Sequence, residues 1–188
     1  MSVTPEAAET AIPQGVWRVD PAHSKVGFAV KHMGVATVRG EFGEFEGSLE
    51  ISDDLATSKA FGTVKTASVD TNQEARDEHL RSADFFEVDK YPEISFSSTR
   101  IEQVDDETVK ITGDLTLHGE THPIELEAEL GGVEVGPEGE KRTGLEVTGS
   151  LARSDWEMKF NAALGSGNVV VSDKVKLTLD IAAVLDEG

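Results

Sequence analysis

Alternation with a period of two recurs through most of this chain and confines it to sheet architectures. The clearest run is 124–130, where Ile124, Leu126, Ala128 and Leu130 alternate with Glu125, Glu127 and Glu129. Successive side chains of a strand point to opposite faces, so such a run offers one face to a core and one to water. Phe45, Gly47, Leu49 and Ile51 alternate in the same way with Glu46, Ser48 and Glu50. Further runs span 109–117, 145–151 and 175–183, and turn signals such as Asp53-Asp54, Asp105-Asp106 and Gly136-Pro137-Glu138-Gly139 separate them. The pattern predicts about eight or nine long antiparallel strands, each burying one face. That points to an all-β sandwich or closed barrel, and the length and one-sided burial of the strands tilt the choice to the barrel. Gly40, Gly47, Gly113 and Gly149 fall on the apolar face, where closure needs sharp bends. A barrel of about eight strands can be filled by side chains or can hold one small ligand. Small residues on the inner face favour the ligand.

The alternation breaks once, between Asp70 and Ser98. Thr71 and Glu74 have the spacing of a capping box, and Gln73 to about Asp84 are good helix formers. A helix this short is marginal alone and must lean on the sheet. Arg76 lies near its N-terminus, against the helix dipole, so a partner must hold it there. Phe85-Phe86 and Tyr91 read as an aromatic anchor, and Tyr91-Pro92 returns the chain to strand.

Residues 1–15 are polar and proline-punctuated and are expected to form a flexible tail, with 16–188 as a single domain. The formal net charge of −19 argues against nucleic acid and against anionic membrane surfaces as partners. There is no Cys, which excludes disulfides and thiolate chemistry, and no apolar run approaches a membrane span. The first residues lack the basic start and apolar core of a signal peptide, so a cytoplasmic location is expected. The five histidines show no metal-ligand spacing, and no GxSxG, GxGxxG or P-loop is present. No metal, cofactor or catalytic residue is therefore assigned.

Four segments resemble the YceI-like family of polyisoprenoid-binding proteins. They are WRVDPAHSKVGFAVKH from Trp17, ARDEHLRSADFFEVDKYPEISFSS over 75–98, GDLTLHGETHP over 113–123 and ARSDW over 152–156. They occur in the family's order and cover about Trp17 to Leu185. Glu157 departs from the family, in which Gly usually follows this Trp. The resemblance implies a lipocalin-like barrel whose interior takes a long apolar chain such as a polyisoprenoid, an isoprenoid quinone or a fatty-acyl derivative. The expected tunnel residues are Val26, Phe28, Val30, Phe42, Leu49, Phe96, Leu115, Leu117, Leu126 and Leu179. At the mouth His23, Arg76, Arg153 and Trp156 are the candidates. Two other readings stay open. One is an enzyme acting on a lipid-like substrate through His23 and Arg76. The other is a solidly packed barrel serving as an acidic interaction module. A homodimer is compatible with each.

Overall fold

The computed structural model describes residues 12–167 and 169–187. The strands are β1 (Gly15–Val19), β2 (Lys25–His32), β3 (Ala36–Phe42), β4 (Phe45–Ile51), β5 (Lys59–Lys65), β6 (Val69–Asp70), β7 (Glu93–Gln103), β8 (Thr108–Leu117), β9 (Glu120–Val135), β10 (Lys141–Ala152) and β11 (Val171–Asp186). One helix, α1 (Glu74–Arg81), follows β6. Eight strands close a ring in the order β1-β4-β5-β7-β8-β9-β10-β11, and β1 pairs back onto β11. The fold is an eight-stranded closed antiparallel barrel with one helix.

The long strand β11 carries two partners along one edge. Its residues 183–186 pair with β1, and its residues 171–180 pair with β2. β1 and β2 are two halves of one bent line, broken by a 3-10 turn at Pro21–His23. β3 pairs with β2, and the two-residue β6 pairs with β3. The second half of this line thus extends the wall beyond the closed ring. Past β6 the ladder ends, and α1 with the segment after it covers this side through Leu80, Phe85 and Phe86.

The two ends of the barrel are filled differently. At one end Trp17, Ile12, Ile101, Val109, Ala128 and Ala183 pack together and leave only a small cavity of about 40 Å³, with Trp17 fully buried and its Nε1 donating to the Pro13 carbonyl at 2.8 Å. Most of the expected tail lies outside the described residues, but Ile12 at its end is buried in this plug. The other end is hollow.

One local expectation needs correction. Thr71 and Glu74 do not form a capping box, because Asn72 takes a left-handed φ of 64° and turns Thr71 away from the helix start. The buried Asp77 instead accepts the Thr71 amide at 2.8 Å and the Thr71 hydroxyl at 2.5 Å, while Glu74 reaches Arg81. The inner glycines are used differently from the expected clearance for a ligand. A Cβ on Gly40 would meet the Phe28 ring at 2.4 Å, and one on Gly113 would meet Phe96 at 2.4 Å and the Ser97 carbonyl at 2.6 Å. These glycines let a neighbouring phenyl lie flat across the strand, which thins the wall and sets the cavity's shape. Gly113→Ala is expected to cost about 1–3 kcal/mol in chemical denaturation through this overlap. Gly165→Ala, which faces open space, serves as the neutral control.

Candidate functional site

The hollow end encloses a cavity of about 430 Å³ with an almost wholly apolar wall. Sheet register builds it in rows. Leu179, Val26 and Phe42 are cross-strand neighbours, as are Leu177, Phe28 and Gly40, and then Val175, Val30 and Val38. Each row steps across β11, β2 and β3, so the inward residues of all three strands meet in one surface. Phe96 and Leu115 are paired across β7 and β8, and Leu117 and Leu126 continue the wall. All ten expected tunnel residues line this space. Phe28 and Phe42 pack with centroids 5.6 Å apart, and Phe86 meets Phe42 edge-on at 5.6 Å, which ties the segment after the helix to the barrel.

Two arginines lie at the edge of this apolar space. Arg76 is held by Thr71: its Nε donates to the Thr71 hydroxyl at 2.7 Å and its Nη2 to the Thr71 carbonyl at 2.7 Å. Arg153 is buried, and its guanidinium donates to the carbonyls of Ser172, Met158 and Val171 at 3.0, 2.7 and 3.2 Å. Burial holds it below the ordinary guanidinium value, but a group this basic stays charged. The Phe85 ring lies 5.9 Å from its charge centre. Arg18, Arg81, Arg100 and Arg142 each sit on a carboxylate. Among the described residues, Arg76 and Arg153 are instead held by neutral oxygens. Each keeps further N–H donors beyond these bonds.

The other two mouth candidates go elsewhere. His23 is exposed at the β1–β2 bend and does not line the cavity. Its Nδ1 lies 2.7 Å from Asp20 Oδ2, which also accepts from Arg142 Nη1 at 3.1 Å. The Asp-Pro-Ala-His run is thus the device that bends one strand line into two. Trp156 is buried, with Nε1 donating to the Leu115 carbonyl at 3.0 Å, and it pins the turn that carries Arg153. Glu157, immediately after it, has φ 61°, a left-handed position that explains why Gly suits it. His118 and His122 face different partners, the Trp156 carbonyl and the Trp156 ring.

Wall residues that the candidate set lacks include Leu80, Phe85, Phe86, Met158, Phe160, Val175 and Leu177. Val175 and Leu177 share the alternating face of Leu179, so their signal was present. Met158 and Phe160 lie in an aperiodic loop, where no pattern marks an inward side chain. Phe160 contacts Phe85 and His79 at 5.2 and 5.1 Å, closing an aromatic cluster beside Arg153.

Fold and cavity define a class, the closed antiparallel barrels with a hollow apolar interior. The chain belongs to the YceI-like family, whose domain model matches residues 17–183. It is 41% identical to Protein YceI of Shigella flexneri over 148 residues, covering 78% of this chain and 77% of that one. The crystal structure of the Campylobacter jejuni YceI protein superposes with a TM-score of 0.70 at 32% identity, covering 84% of this chain and 90% of that one. A polyisoprenoid binding domain from Saccharophagus degradans superposes with a TM-score of 0.67 at 14% identity, covering 93% of this chain and all of that one (100%), and so shares the fold.

The Asp20 cluster makes a prediction about acid stability. His23 first and Arg142 second hold the Asp20 carboxyl below its ordinary value, with the Ala22 amide assisting against a small opposing effect of burial. A folded value below the unfolded one favours the native state above the usual carboxylate range, near pH 4, and that increment is lost as pH falls through the folded value. Asp20→Asn is expected to cost about 1 kcal/mol at pH 7, as loss of a capping carboxylate does. The gap to the parent should narrow below about pH 4 in urea denaturation. A gap that stays constant down to pH 3 contradicts the assignment.

Proposed function

We propose that this protein binds and carries a long-chain apolar lipid, with the chain inside the barrel and the head group at Arg76 and Arg153. The cavity is the observation that supports this most. Without an apolar occupant, a space of about 430 Å³ forfeits about 10 kcal/mol at about 24 cal/mol per Å³. That is as large as the net stability of a typical domain. Taking about 30 Å³ per carbon, the share of one water in the liquid, the volume admits on the order of 14 carbons. At about 0.8 kcal/mol per buried methylene such a chain gains roughly 11 kcal/mol before the costs of ordering. Micromolar binding corresponds to about 8 kcal/mol net, so the apolar chain supplies most of the energy such an affinity needs and contacts at the mouth supply the rest. Isoprenoids, isoprenoid quinones and fatty-acyl derivatives all have chains of this kind. The fold shared with a polyisoprenoid binding domain agrees with this reading.

The reading is of a binding protein and not an enzyme. His23 and Arg76, the pair an enzymatic reading needs, do not come together, since His23 lies outside the cavity that Arg76 lines. A hollow interior also weighs against a barrel packed solid as an interaction module.

Three measurements test it. Solvent extraction of the purified protein followed by mass spectrometry is expected to recover a long-chain lipid. Affinity for added acyl or prenyl chains should rise about fourfold per methylene up to about 14 carbons and then level off. A protein that is empty after extraction and takes up no chain contradicts the proposal. Arg76→Ala is expected to weaken a carboxylate- or phosphate-headed chain by about tenfold or more, and to weaken the neutral alcohol of the same chain far less. Equal effects on both return Arg76 to a purely structural role, anchoring the helix to Thr71.

A further inference from the structure

The acidity of this chain is unevenly placed. Asp and Glu make up 36 of its 188 residues, about one in five, yet the segments 26–40 and 158–172 contain none. The structure brings these two segments together. The first is the β2–β3 hairpin and the second is the loop that leads into β11, and the Met33 amide donates to the Val170 carbonyl at 2.9 Å. Both supply residues to the cavity wall, Val30 and Val38 from the hairpin and Met158 and Phe160 from the loop. Their outer parts expose apolar side chains: Met33 is 41% exposed, Val35 84% and Val169 42%.

The hairpin turn adds an independent observation. Met33 and Gly34 both have positive φ, at 55° and 75°, and the Val35 amide donates to the His32 carbonyl at 3.1 Å. This is a two-residue turn in which Asn or Asp with Gly is strongly favoured. A methionine there is both conformationally disfavoured and exposed, so stability does not account for it.

We infer that this edge of the cavity mouth is a docking surface for an anionic phospholipid bilayer, with Met33, Val35 and Val169 entering the headgroup boundary. Lys31 and Arg39 supply the positive charge of the hairpin, where no carboxylate lies within 26–40, while Lys159 of the loop is paired with Glu157 at 2.9 Å and adds little. The overall charge of −19 does not forbid this approach. In physiological salt a charge is screened within about 8–10 Å, so acids elsewhere on the barrel act weakly at the contact. The helix is excluded from this surface because it carries Glu74 and Glu78. Shallow apolar insertion combined with cationic contacts is how other peripheral proteins bind membranes.

The test is cosedimentation of the full chain with vesicles of phosphatidylcholine, with and without phosphatidylglycerol. The parent is expected to bind the phosphatidylglycerol vesicles, more weakly as salt rises, and to bind pure phosphatidylcholine at least fivefold less. The double variant Met33→Asn/Val35→Ser replaces side chains that do not line the cavity, and its Asn suits the turn. It should keep or raise the unfolding temperature, take up added lipid in solution as the parent does, and lose vesicle binding at least fivefold. Arg39→Glu should lose binding to the anionic vesicles selectively. Absence of parent binding, equal binding to both vesicle types, or a double variant that binds like the parent each overturns the inference. So does a dimer in sedimentation velocity that the double variant dissolves, since the surface is then a contact between copies. Lipid uptake in solution is read separately, so failure here leaves the carrier reading standing, and failure of uptake alone leaves the docking surface standing.

Discussion

The barrel depends on the way β11 shares one edge between two strands. Its 16 residues pair with β10 on one side and, on the other, with β2 and then β1. A single straight partner would have continued the same ring along the whole length. The Asp20–His23 bend lets β1 close the ring with β4, while β2 leads into β3 and widens the far half. A short hydrogen-bonded turn, held by Asp20 among His23, Ala22 and Arg142, thus separates a closed, packed end from an open, hollow one.

That division settles an energetic conflict. A cavity as large as this one is destabilising, and only a well-packed remainder can carry it. The plug around Trp17, with Ile12 folded against it, concentrates the tight packing at one end. At the other end the glycines let Phe28 and Phe96 lie across their neighbours, so the wall is thin and smooth. The helix adds the one flank where strand pairing stops, and Thr71 fixes it through both Arg76 and Asp77. Cavity shape, helix position and cationic edge therefore follow from a few local devices on a regular sheet.

The charges follow the same division of labour. Several exposed cations of the strands pair with nearby carboxylates, as Lys65 does with Glu93 and Arg100 with Glu102. The guanidiniums beside the cavity are held by neutral oxygens instead, so no carboxylate is bonded to their charge. The hairpin and the loop, which carry no acids, give one edge of the mouth a character opposite to that of the molecule as a whole.

The sequence by itself determined the inward face of most long strands, because a period of two leaves no freedom once one face is buried, but not that of β5, whose residues show no clear alternation. Val26, Phe28, Val30 and Leu179 were legible as wall residues for that reason, and so was the closed barrel. It also determined that the chain breaks into a helix after Asp70, since the residues there favour helix. What the helix contacts was not legible. Thr71 and Glu74 match a capping box in spacing, but the left-handed Asn72 gives Thr71 to Asp77 instead. The mouth was least legible, because its residues come from aperiodic segments far apart in the chain. His23 and Trp156 looked equivalent to Arg76 and Arg153 as polar or aromatic residues in turns. Only the tertiary structure decided that two of them shape the scaffold and two face the cavity, because loop side chains take their direction from packing and not from a repeat. Whether the interior would be filled or hollow was decided there as well: it depends on how the volumes of some forty side chains add up around a ring, and no local pattern encodes that sum.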